Sequence, residues 1–188
     1  MKNKGLWITL GLLFALGGCG VSYYNRLVSA REAVPGAWSQ VENVLQRRYD
    51  LIPNLINTVK GYAKHEASLL EEVTRLRSQW GEAKTVAGKI ESSRQLEGTL
   101  ARLMVVAEQY PNLKANENFA RLQDELAGTE NRIAVERRRY NETVQIYNVT
   151  LKRFPGNMAA ALIGGFSPSD AYFKSEESAS KVPVVSFE

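Results

Sequence analysis

The chain contains one cysteine, one histidine and six prolines among 188 residues. A single cysteine excludes an intramolecular disulfide and a thiolate metal cluster. The single histidine, His65, has no second histidine with which to build a zinc site. It also leaves out the glutamate and histidine pairs, three residues apart, of a carboxylate-bridged di-metal bundle. No glycine-rich phosphate loop, GxSxG elbow, CxxC or HExxH pattern occurs. No catalytic residue, cofactor or metal ligand is therefore expected, and an enzyme is the disfavoured class. An excess of one charge is missing too: 24 basic residues face 20 acidic ones. Without a concentrated basic face, nucleic acid is not an expected partner.

The one cysteine follows the one long apolar run. "MKNKGLWITLGLLFALGGCG" opens with Lys2 and Lys4, continues apolar from Gly5 to Leu16, and places small residues before Cys19. This has the layout of a signal segment. "LGGC" at 16–19 resembles a bacterial lipobox, so loss of residues 1–18 and acylation of Cys19 is the first expectation. An uncleaved anchor reaching to Val21, about 17 residues and barely a span, is the alternative. Removing Lys2 and Lys4 would lower the formal charge from +4. Both routes attach the protein to a membrane with its folded part outside the cytoplasm. Gly20 after the cysteine points to the inner face of an outer membrane if the source has two membranes.

From Tyr23 to about Phe154 the pattern is helical, and the fold class is all-α: an elongated antiparallel bundle of three to four long helices. Trp38, Val41, Leu45, Tyr49, Ile52, Leu55 or Ile56, Val59 and Tyr62 form one apolar stripe. Phe119, Leu126, Ile133, Tyr140, Tyr147 and Phe154 recur every seven residues, with Leu122, Val144 and Leu151 beside them, which predicts a coiled-coil-like seam. "KGYAKHEAS", with only Gly61 to break it, is a tight corner or a weakly bent helix, and "SQWGEAKTVAGKIESS" is a connection or a weak helix. Pro111 stops one helix while Asn116 caps the next at Glu117. "PGN" after Phe154 ends the last long helix, with Asn157 as cap of a short helix closed by Gly164 and Gly165. The expected organisation is a signal or anchor at 1–18, a bundle over 19–165 and a tail over 166–188. That tail is rich in serine and proline; it is either disordered, or Phe173 and the apolar "VPVVSF" dock along the bundle or add as a strand to a partner.

"RRYDLIPNLINTVKGYAKHE", residues 47–66, gathers the groups that most resemble a site. Pro53 removes a helical hydrogen bond and crowds the carbonyl of Tyr49, so a kink or helix start is expected there, with Asn54 and Asn57 as donors to freed carbonyls. Packing is the preferred reading of this stretch. Tyr49, Pro53, Asn54, Asn57 and His65 are kept as a candidate partner surface. Arg47, Arg48, Arg137, Arg138 and Arg139 are kept as candidate contacts to anionic headgroups or polymers, although consecutive helical residues fan around the axis. Glu71, Glu72, Asp124, Glu125, Glu130 and Glu136 suit exposed helix faces, with Glu136 able to meet Arg139 or Tyr140. Tyr–Asn recurs at 24–25, 140–141 and 147–148, and its amides read as register-fixing groups at the seam edge.

Three blocks, "RRYDLIPNL", "YPNLKANENF" and "TENRIA…YN", together with most of Tyr24 to Phe173, resemble the LemA family of bacterial membrane-associated helical proteins. The resemblance implies a helical bundle with an N-terminal membrane attachment. It brings no catalytic residues. It implies partners in the envelope, a membrane protease or a TPM-type protein among them, and hence a scaffold or adaptor. Because some members carry only a transmembrane anchor, the lipidation of Cys19 rests on residues 16–19 of this chain.

Overall fold

The computed structural model describes residues 4–63 and 66–174. Six helices are found among them: α1 (Lys4–Lys60), α2 (Ala67–Glu82), α3 (Val86–Ala107), α4 (Pro111–Lys114), α5 (Glu117–Lys152) and α6 (Gly156–Ile163). The architecture is all-α, and the long helices pack as a bundle. At 1.5 Å per residue, the 57 residues of α1 extend about 85 Å.

The pairing of α1 with α5 sets the frame. The Tyr23 hydroxyl donates to the Thr150 carbonyl at 3.2 Å, Trp38 meets Tyr140 edge to face at 5.5 Å, and Arg48 pairs with Glu130. The Asn116 amide donates to the Tyr62 hydroxyl at 2.9 Å. Partner numbers fall on α5 as they rise on α1, so the two helices are antiparallel. The α2–α3 hairpin lies against the distal half of this pair. Tyr49 stacks on Trp80 at 4.2 Å, Arg102 of α3 pairs with Glu72 of α2 at 2.8 Å, and Arg137 of α5 pairs with Glu97 of α3 at 2.7 Å. Lys89 near the start of α3 pairs with Glu42 of α1 and sits 5.0 Å from the Trp80 ring. Toward the N-terminus of α1 the hairpin is absent. There α5, α6 and the chain from Phe166 to Lys174 accompany α1 around a small cluster of Leu27, Tyr147 and Leu151.

The apolar stripe of α1 is buried from Trp38 to Val59 with Leu55 rather than Ile56 inside. Its last position differs from expectation. Because α1 ends at Lys60, the turn brings Ala63 into the core and leaves Tyr62 42% exposed. The seven-residue positions of α5 are buried from Phe119 to Tyr147, but Phe154 is 76% exposed since the helix stops at Lys152. Asn116 caps α5, accepting from the amides of Asn118 and Phe119. "SQWGEAKTVAGKIESS" contains a real connection, closed by Thr85 as the cap of α3. Asn157 does not cap α6, which starts one residue earlier; its side chain accepts from the Met158 amide. Gly164 and Gly165 end α6 with φ of 74° and 77°, a conformation that favours glycine.

Pro53 neither starts nor interrupts a helix: α1 runs through both Pro35 and Pro53. The carbonyl of Tyr49, which Pro53 deprives of its helical donor, instead accepts from Arg77 Nε of α2 at 3.2 Å. The donor comes from another helix, and Asn54 and Asn57 are exposed. The cost of the proline and the docking of α2 are thus coupled. Arg77→Ala is expected to lower stability by about 1–2 kcal/mol, and by less in a Pro53→Ala background, where Tyr49 regains its helical partner. A denaturant-melting double-mutant cycle measures the coupling; strictly additive losses would contradict it.

Candidate functional site

α5 presents a face that holds the irregular chain after α6. Its Tyr–Asn pairs at 140–141 and 147–148 lie seven residues apart, two turns or about 10.5 Å along the helix. Tyrosine turns inward to the α1 seam, while asparagine stands at its edge. Each asparagine pairs with both main-chain groups of one residue in the segment after α6. Asn148 donates to the Ser169 carbonyl at 2.8 Å and accepts from its amide at 2.9 Å. Asn141 does the same with Phe173, at 2.8 Å and 3.0 Å. Between the two pairs the chain makes a tight turn, the Tyr172 amide donating to the Asp170 carbonyl at 2.9 Å, which matches its reach to the asparagine spacing.

Aromatic contacts fix the two ends of this strap. Phe173 stacks on Trp38 at 6.2 Å, meets Tyr140 edge to face at 5.9 Å, and lies under the Arg137 guanidinium at 5.1 Å. Phe166 contacts Tyr24 at 6.0 Å and Arg31 at 5.6 Å. Between them, the Tyr147 hydroxyl donates to the Ser167 carbonyl and the Asn148 amide also reaches the Tyr172 hydroxyl. The tail is therefore docked as far as Lys174; "VPVVSF" lies outside the described residues. Asn141 and Asn148 read main chain rather than fixing helix register. A repeat of Tyr–Asn at heptad spacing was the available signal, but its partner segment bears no matching pattern. A cavity of about 260 Å³ lies between this strap and α3, bordered by Glu91, Arg94, Glu97 and Arg137.

The remaining candidates separate by depth. Arg48 is 3% exposed and ion-paired to Glu130, and its Nε and Nη1 have no protein acceptor. Burial lowers its pKa to about 10, against the opposing attraction of Glu97. Glu130 itself is 40% exposed, but its removal would leave the buried guanidinium without its ion-pair partner. Arg137 is turned toward Glu97, Ser93 and Phe173. Arg47, Arg138 and Arg139 remain at the surface, the last paired with Glu136 as the spacing foretold. The five arginines therefore do not form one anionic contact, because Arg48 lies inside the bundle.

Tyr49 is buried, and burial raises its phenol well above the ordinary value; Ser93 approaches the hydroxyl without completing a hydrogen bond. Tyr49 thus packs the core and offers no surface to a partner. Pro53 is half-buried, Asn54 and Asn57 face outward, and His65 lies outside the described residues. Among the described residues no group of three or more histidine, cysteine or carboxylate side chains converges to hold a metal. Cys19 is exposed on α1, whose N-terminal part is apolar and long enough, by length and composition, to cross a membrane.

Replacing Asn148, only 9% exposed, by alanine removes the pair to Ser169 and strands two main-chain groups. Asn148→Ala is expected to cost about 1–3 kcal/mol and to hasten tryptic cleavage after Lys174. Unchanged cleavage with unchanged melting would contradict the role assigned to the amide.

Residues 37–187 match the LemA family. Among similar proteins, magnetosome protein MamQ 2 of Paramagnetospirillum magneticum is 28% identical, over 86% of this chain and 68% of the relative. Magnetosome protein MamQ of Magnetospirillum gryphiswaldense is 26% identical over the same shares. Protein LemA of Metamycoplasma hominis is 24% identical over 79% of this chain and 71% of its own. The matched region takes in the distal part of α1, the hairpin, α5 and the strap, and on this match the chain belongs to the LemA family.

Proposed function

We propose that this chain is a membrane-anchored scaffold of the bacterial envelope that binds protein partners and performs no chemistry itself. The observation that carries the reading is the continuity of α1. One helix supplies both the apolar N-terminal run and the buried stripe from Trp38 to Val59. Whatever holds the run in a bilayer therefore holds the bundle close to it, without a flexible linker. Confinement of this kind raises the effective concentration of bound partners at the membrane. If residues 1–18 are instead removed, acylation of Cys19, which lies on the same helix, would serve as the anchor. Family membership supports an envelope setting.

The partners proposed are envelope proteins, a membrane protease or TPM-type protein among them. The outward face of α1 at Asn54 and Asn57 is an available surface, and the sequence after Lys174 supplies a second candidate segment. In-cell cross-linking at native abundance, read by mass spectrometry, tests this. Reproducible links from these surfaces to one envelope protein are expected. Links only to itself, to abundant lipoproteins or to wall polymer would overturn the adaptor role. They would favour a structural component touching lipid or polymer through Arg47, Arg138 and Arg139.

A further inference from the structure

The end of α5 and α6 show apolar surface that the bundle does not use. Phe154, Met158, Leu162 and Ile163 are 76%, 53%, 81% and 57% exposed. Four large apolar side chains are thus presented within ten residues. Beyond the N-terminal run, other exposed large apolar residues lie singly or in pairs, such as Tyr62, Val105 and Val135, and the pair Ile146 and Val149 of α5. α6 itself carries no charged residue.

This exposure does not come from loose attachment. Gly156 is buried, and a Cβ there would lie 2.2 Å from the Thr150 carbonyl oxygen and 3.1 Å from the Tyr23 ring. Ala160 packs on the Leu27, Tyr147 and Leu151 cluster. The helix is seated by its small residues and turns its large ones outward.

Its level along α1 identifies the occupant. α6 begins beside Tyr23, two residues past Val21, where the apolar run ends. If that run spans the bilayer, Tyr23 and Tyr24 stand at the interface, where tyrosine is favoured. If Cys19 carries the lipid instead, four residues, about 6 Å of helix, separate it from Tyr23. Either anchor brings Phe154 and the start of α6 near the headgroups, with the rest of α6 within about two turns of that level. Arg26, Lys152 and Arg153 are exposed around this end, and their charges suit anionic lipid.

We propose that α6 with Phe154 is a second membrane contact, lying in the headgroup region and fixing how the bundle stands on the bilayer. The inference rests on the membrane anchoring proposed above. A protein partner at this patch would have to enter between the bundle and the surface to which α1 confines it.

Photoreactive p-benzoylphenylalanine in the full chain, in its own membrane, separates these cases. Leu162→p-benzoylphenylalanine is expected to yield phospholipid adducts on irradiation, within about threefold of those from Val21→p-benzoylphenylalanine, as interfacial depth requires. Glu125→p-benzoylphenylalanine, at the distal end, should yield none. Adducts from Val21 but none from Leu162 would overturn the role of α6 while leaving the anchor intact. Protein or self adducts from Leu162 without lipid would also overturn it. Absence of lipid adducts at both positions would refute the anchoring and this inference together.

Discussion

The antiparallel contact between α1 and α5 is the constraint on which the rest of the structure depends. Its buried residues, from Trp38 to Val59 on one helix and Phe119 to Leu151 on the other, form the central seam. Polar contacts at Tyr23, Arg48 and Tyr62 hold that seam in one register. The hairpin closes the distal half into four helices. Elsewhere the same two helices need other cover, which α6 and the strap provide. Removing the register would separate Trp38 from Tyr140 and so dismantle the seat of Phe173.

Polar groups in this seam act as locks rather than as chemistry. Arg48 is held at a desolvation cost, with Glu130 as its ion-pair partner and Glu97 adding attraction. Arg77 compensates for Pro53 from a neighbouring helix. Asn141 and Asn148 behave as a strand edge would, offering donor and acceptor to the irregular chain after α6, yet they stand on a helix. In each case a backbone or side-chain group that would be costly to leave unpaired determines which segment must dock beside it.

Local rules made much of this legible from residues alone. The stripe on α1 and the heptads on α5 follow from helical period, and the Asn116 cap from the chemistry of helix starts. Errors arose where an element ended. Tyr62 and Phe154 continue their periods in sequence, but Lys60 and Lys152 are the last residues of their helices, so neither ring is buried. Other contacts were beyond pattern reading because they join distant segments. Nothing beside Tyr49 announces Arg77, and nothing in "FSPSDAYF" announces the asparagines that hold it. Arg47 and Arg48 look equivalent in sequence; a hundred degrees of helical rotation puts one in water and the other among α3 and α5.

In the proposed arrangement α1 joins membrane and bundle as one stiff element. Hydrogen exchange of the full chain in lipid bilayers tests it most directly. Amides from Tyr24 to Val34 are predicted to exchange as slowly as those from Val41 to Ile52. Exchange of Ser22 to Val34 at the rate of an unstructured peptide would reveal a hinge between anchor and bundle, and would contradict the account.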